Sequence, residues 1–332
     1  MRGRTLIILG VVLVALVVVK VAMDRAHRSE LERSGLEAVL PGDLAASEIG
    51  RLVVTGPAGE DVVLERRGLD WVVATKWGQP ADGAKMQRLT ESIAALTGEF
   101  RSDDAAVLAD YGLDSTRAVR LKVYDTSGAE RAALLLGDRQ AGSGGFFVKT
   151  AASDRAYATR SNLVGELGIW GENRDPEGKR FLDLKIFTAA REDVDGITLT
   201  RGDEVIRLTK AFHEPAADSL PVDRTKFSWR VDGAEAEQSP CNSVLSALGG
   251  IWARDALDPA GDWAFADSAM VAEVSFADGT TRRLDFGLAM EEPEAGRALR
   301  VSGREGVFLV SPGLAERVFK ARADFDPQEV GR

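Results

Sequence analysis

The usual reactive residues are scarce in this sequence. Its 332 positions hold two histidines, His27 and His213, and one cysteine, Cys241. No two of these share a helix face or a ligand spacing, so they predict no metal site, and His213-Glu214 reads as part of a solvated loop. A single cysteine predicts no intrachain disulfide, and its place on an apolar helical stripe makes Cys241 a packed small hydrophobe rather than a nucleophile. Gly142-Ser143-Gly144-Gly145 lacks the Gly-Lys-Ser/Thr ending of a phosphate loop and precedes a strand, which predicts a hairpin turn. No Gly-x-Ser-x-Gly elbow exists.

Carboxylates are the one abundant reactive type. Asp103-Asp104 and Glu291-Glu292-Pro293-Glu294 leave open a paired acid and base of the kind that hydrolyses glycosides. With 52 acidic residues, adjacent pairs also arise by number alone and read as solvated faces. Trp77, Trp170 and Trp263 lie among turn residues, as loop covers or as anchors for a partner, whereas Trp71, Trp229 and Trp252 read as core positions. The expected catalytic, cofactor-binding and metal-ligating sets are all empty.

The elements that would carry such residues fall into an anchor and a duplicated body. Leu6 to Val19 is an unbroken apolar run that Val21-Ala22-Met23 extends past Lys20. At about 1.5 Å per residue, the stretch from Thr5 to Met23 is about 28 Å long, close to the thickness of a bilayer core. Arg2 and Arg4 precede it and no Ala-x-Ala cleavage signal follows, which predicts an uncleaved signal anchor with the bulk of the chain extracytoplasmic. Basic residues stand on both sides of the run, so the charge count alone sets no orientation. The net charge is −10, and it disfavours nucleic acid as a partner.

Beyond the anchor, Leu89, Ile93, Leu96 and Phe100 recur 152 positions later as Cys241, Leu245, Leu248 and Trp252. The spacing places each set on one helical stripe. Asp82 is the expected cap of the first helix; Ser239, followed by Pro240, is that of the second. Gly128 recurs as Gly279, Leu136-Gly137 as Phe286-Gly287 and Leu163 as Leu314, at offsets of 150 to 151. Alternating strands flank these positions, with turn signals at Ser127-Gly128 and Asp278-Gly279. Ala211 to Lys226 reads as a loop insertion in the second copy. The predicted fold class is therefore α+β: one N-terminal transmembrane helix and two repeated, mostly antiparallel lobes. The expected boundaries are an anchor at 1–23, a helical stalk at 24–47, a first repeat at 48–168, a junction at 169–192, a second repeat at 193–321 and a tail at 322–332.

The early Trp71, Gln79-Pro80-Ala81-Asp82, Tyr111-Gly112-Leu113-Asp114, Leu136-Gly137 and Arg180-Phe181-Leu182-Asp183, with the single span, resemble the bacterial proteins grouped as domain of unknown function 4340. The resemblance runs from about Ile49 to Phe319. The second copy lacks the Tyr-Gly-Leu-Asp tetrapeptide and has Leu257-Asp258-Pro259 nearby. The resemblance implies a membrane-anchored protein associated with ABC-type transport systems of the kind linked to gliding motility, and it supplies no catalytic residues to carry over. The expected function is a non-enzymatic accessory protein without a cofactor, held in the cytoplasmic membrane through Leu6 to Val19 and contacting a transport complex or its cargo. The alternatives are an extracytoplasmic hydrolase of envelope polymers and a structural scaffold.

Overall fold

A computed structural model describes residues 35–40, 42, 44–140, 144–170, 173–213, 222–266, 270–291 and 295–327. The expected anchor, most of the stalk, His27, Gly142-Ser143, Glu214, Glu292-Pro293-Glu294 and the end of the tail lie outside the described residues. Among the described residues no helix is long and apolar enough to cross a membrane. The fold is mixed α+β, dominated by antiparallel strands with few helices. The chain divides into two compact units, one within residues 1–69 and 84–177, the other within 70–83 and 178–332. Residues 70–83, which fall inside the expected first repeat, thus group with the second unit.

In the first unit the strands are β1 (Glu37–Ala38), β2 (Ile49–Thr55), β3 (Asp61–Arg67), β6 (Thr97–Ser102), β7 (Val119–Asp125), β8 (Glu130–Arg139), β9 (Phe146–Thr150) and β10 (Ala156–Thr159); the intervening β4 (Asp70–Val73) and β5 (Gln79–Pro80) belong to the other unit. Their order in the sheet is β1-β6-β10-β9-β8-β7-β2-β3. Alternation explains the strands: Val119, Leu121 and Val123 on β7 are fully buried while Arg120 and Lys122 face out, as period two requires. Helix α1 (Gly83–Ala94) buries Met86, Leu89, Thr90 and Ile93 on one stripe, and it starts directly after Asp82. A short helix, α2 (Leu163–Glu166), closes the unit.

The second unit contains, besides β4 and β5, the strands β11 (Lys185–Thr188), β12 (Val194–Arg201), β13 (Glu204–Phe212), β14 (Phe227–Val231), β15 (Ala234–Glu235), β16 (Gly250–Trp252), β17 (Asp255–Leu257), β18 (Met270–Phe276), β19 (Thr281–Met290), β20 (Gly296–Val301) and β21 (Val307–Val310), with α3 (Gln238–Leu248) and α4 (Leu314–Val318). Its main sheet runs β15-β14-β13-β12-β18-β19-β20-β21-β17, and β11 pairs with β16 apart from it. The β4–β5 hairpin is tied in through backbone bonds from Asp82 N–H to Phe181 O at 2.8 Å and from Asp183 N–H to Pro80 O at 2.9 Å.

Both sheets follow one strand order, since β7, β8, β9, β10 and α2 reappear 150 to 151 positions later as β18, β19, β20, β21 and α4. Their irregularities repeat as well. The β8–β9 register slips between Leu136 and Arg139, and β19–β20 slips between Phe286 and Ala289. Such bulges bend a strand and free room beside it.

The structure corrects two expectations. Helix α3 begins at Gln238 and is capped by Glu237, not Ser239. The Gln238 side chain accepts from Trp229 N–H at 2.7 Å and donates to Trp229 O at 3.1 Å. That clamp onto β14 draws the helix start forward, and Pro240 still falls in the first turn, where its missing N–H costs nothing. Trp252 is not in the core: it is 64% exposed. Its stripe ends with the helix at Leu248, so the spacing of four carries no meaning for a residue on β16, and Phe100 on β6 is half-exposed for the same reason.

Candidate functional site

The tetrapeptide Tyr111-Gly112-Leu113-Asp114 is the most distinctive motif in the chain, and its geometry is that of a lock on the first sheet. A 3-10 helix at Ala105–Tyr111 starts where the Asp104 carboxylate accepts from Ala106 N–H at 2.9 Å. Tyr111 stacks on Phe147 with ring centroids 4.4 Å apart, and Leu113 is buried against Leu108 and Ala156. Gly112 ends the 3-10 helix in the left-handed region at φ 66°. Asp114 accepts from Thr116 N–H at 3.0 Å, Arg117 N–H at 3.1 Å, Arg117 Nε at 2.9 Å and the Thr116 hydroxyl. The Thr116 hydroxyl first, then the Arg117 guanidinium, hold its carboxyl well below the usual carboxylate range.

Behind the motif lies the β8 bulge. A Cβ at Gly137 would run into the Tyr111 carbonyl oxygen and crowd Leu113. Arg174 secures the same place, donating to Asp138 at 2.6 Å and to the carbonyls of Leu136 and Gly137 at 2.9 and 2.7 Å. The second unit repeats the device with different residues. A Cβ at Gly287 would meet the Trp263 carbonyl oxygen and the Phe265 ring, and Ala264 between them sits at φ 53°. The counterpart of Tyr-Gly-Leu is therefore Trp263-Ala264-Phe265 and not Leu257-Asp258-Pro259. Trp263 is partly buried against the cluster of Leu257, Ala298, Val307 and Leu309, a loop cover rather than a free anchor.

The remaining sequence candidates stay apart. Cys241 is fully buried and its thiol is pushed up to about 11 by burial, which keeps it protonated at neutral pH. His213 follows β13, its N–H donating to Lys226 O at 3.1 Å. Among the described residues no group of three or more His, Cys, Asp or Glu stands close enough to hold a metal ion. Asp125, Asp223 and Asp278 resemble Asp114: each carboxyl is lowered chiefly by the hydroxyl of a residue two positions on, Ser127, Thr225 or Thr280.

Charged clusters that the linear sequence concealed emerge in the second unit. Lys210 on β13 is buried with its Nζ 4.1 Å from the Phe227 ring centroid and 5.6 Å from that of Trp229, donating to Arg191 O. Burial first, then the Arg224 and Arg191 charges, bring its ammonium down to about 8, against the pull of Asp195 and Glu192. A cleft of about 310 Å³ opens beside β17, with Leu257 and Leu309 as lining and Lys76, Lys179, Arg254 and Asp255 around them. Lys76 meets Asp255 at 2.8 Å, and Trp77 stands at the cleft 45% exposed. No spacing signal could have revealed it, because Lys76 and Asp255 are 179 positions apart. The other exposed tryptophan of the turn set, Trp170, lies in the first unit under the Arg139 guanidinium, 4.9 Å from the ring centroid.

Residues 71–228 match the family described as Domain of unknown function (DUF4340). No curated protein matches the chain. No solved structure matches it.

Proposed function

From this domain match and the geometry of the carboxylates, we propose that the chain is a non-enzymatic accessory protein, anchored in the cytoplasmic membrane through Leu6 to Val19. Its two lobes, copies of one ancestral unit, lie outside the membrane and contact an ABC-type transport complex or its cargo. The observation that carries the reading is geometric: the carboxylates of Asp114, Asp125, Asp223 and Asp278 each accept from the hydroxyl of a residue two positions on. Asp114, Asp125, Asp223 and Asp278 are all lowered by donors within their own turns. None of these four is raised in the way a general acid is, by burial or a neighbouring anion. These groups spend their hydrogen-bonding capacity on holding loops, as befits a rigid binding surface. The tether supports the same reading, since confinement beside a membrane partner raises effective concentration and lets modest interfaces suffice.

The test is chemical crosslinking in cells, solubilisation in detergent and purification through a C-terminal tag. An ABC permease and its ATPase are expected in the recovered complex, and repeated recovery of neither overturns the proposal. A reporter that works only outside the cytoplasm, fused after Phe319, should be active; activity only of a cytoplasmic reporter overturns the orientation.

A further inference from the structure

The cleft beside β17 goes beyond this reading. We propose that it is a binding site for a small ring-bearing phosphate, such as a sugar or aryl phosphate monoester.

Charge is the first argument. The lining of the cleft carries Lys76, Lys179, Arg254 and Asp255, with Lys76 meeting Asp255 at 2.8 Å, in a chain whose net charge is −10. Cations gathered around a concave, partly apolar wall strengthen the local field for an anion. Lysine and arginine are the side chains that hold phosphate through charge-assisted hydrogen bonds.

Trp77 supplies the second argument. It ends the 3-10 helix Ala74–Lys76 with φ 54° and ψ 27°, in the left-handed region that a bulky residue rarely occupies. Gly78 follows at φ 69°, so the turn needs a left-handed pair, and glycine would serve at Trp77 without strain. The indole keeps an open face, since Trp77 is 45% exposed. Strained backbone gathers at binding and catalytic sites, and here it holds an aromatic side chain in the lining of the cleft. The indole stands with Lys76 Nζ 5.8 Å from its ring centroid, a flat face beside the cations. The lining by Leu257 and Leu309 completes a site for a ring on one side and an anion on the other. A volume of about 310 Å³ is at the small end of ligand clefts, about 300 to 1,000 Å³, which suits a single ring and not a polymer segment.

The test titrates the full-length protein, kept in mild detergent, with phenyl phosphate and glucose 1-phosphate. The Trp77 indole N–H resonance is followed by NMR after assignment through Trp77→Phe. Inorganic phosphate and phenyl glucoside are the controls for anion and ring alone. Saturable binding of at least one ring phosphate is expected, about tenfold tighter than either control, and the tighter of the two identifies the ring. Lys179→Met should weaken it about fivefold, and Asp255→Asn, which removes a carboxylate of the lining and releases Lys76 from its ion pair, should tighten it about threefold. Trp77→Gly, whose binding is read by titration calorimetry because the reporting indole is gone, should abolish the preference for a ring while keeping a single cooperative unfolding transition, which separates lost contact from lost fold. No saturable shift at 10 mM, or binding unchanged by both Asp255→Asn and Trp77→Gly, overturns the site. Because none of this requires a transport partner, its failure is distinguishable from failure of the crosslinking experiment.

Discussion

At the scale of single residues, Lys210 is where burial and charge oppose each other most directly. Its ammonium is lowered from 10.5 to about 8 by desolvation and by Arg224 and Arg191, with Phe227 and Trp229 against it. Between those two values the unfolded chain binds a proton that the folded chain has released. Stability must therefore rise with pH from about 8 to about 10.5, the penalty being fully present below 8. The gain is at most about 3.5 kcal/mol, since each pH unit crossed between the two values contributes about 1.4 kcal/mol. Urea unfolding across that range should show the rise in the native chain, and Lys210→Met should remove the part that Lys210 contributes. Nothing in the sequence pointed to this lysine, since alternation along β13 shows only which positions face one side of the sheet. By contrast, Cys241 was legible as a packed hydrophobe, because its place on the apolar stripe of α3 is a local property.

At the scale of elements, the legible parts are those that adjacent residues determine. The strand runs, the turns at Gly128 and Gly279 and the buried stripes of α1 and α3 all appear where period and turn chemistry place them. The ends of the helices were less legible, since Gln238 begins α3 through a clamp onto β14 that no capping pattern describes. The device that pins a loop over a β-bulge was only half visible. Its glycine copy, Tyr111-Gly112-Leu113, is a motif, whereas Trp263-Ala264-Phe265 uses alanine in the same left-handed position. Ala264→Gly should accordingly stabilise the second unit by about 1 kcal/mol, the cost of a Cβ in that conformation. Gly287→Ala should act oppositely, costing at least about 2 kcal/mol because its Cβ meets a carbonyl oxygen that cannot move without unseating the loop. Gly137→Ala should cost about as much in the first unit. Denaturant midpoints of the three variants at constant m-value check all of this; no loss in either glycine variant would show that the loops do not press on the bulges.

At the scale of the whole molecule, the repeat predicts two lobes in sequence order, but the compact units do not follow that order. Residues 70–83 group with 178–332, held by the bonds to Phe181 and Asp183 and by the Lys76–Asp255 ion pair. A fragment of residues 178–327 should then unfold at a lower urea concentration than the same region in the full chain, and a peptide of residues 70–83 added in trans should raise its midpoint. Equal midpoints without the peptide would mean that the hairpin is dispensable. The same loan has a consequence in time. Asp82 precedes Phe181 by 99 positions, so at about 5 to 20 residues per second the hairpin leaves the ribosome about 5 to 20 s before its partner exists. For that interval a half-built edge is left waiting, and whatever shelters it during synthesis, whether neighbouring chain or chaperone, governs how much of the newborn protein reaches its final form.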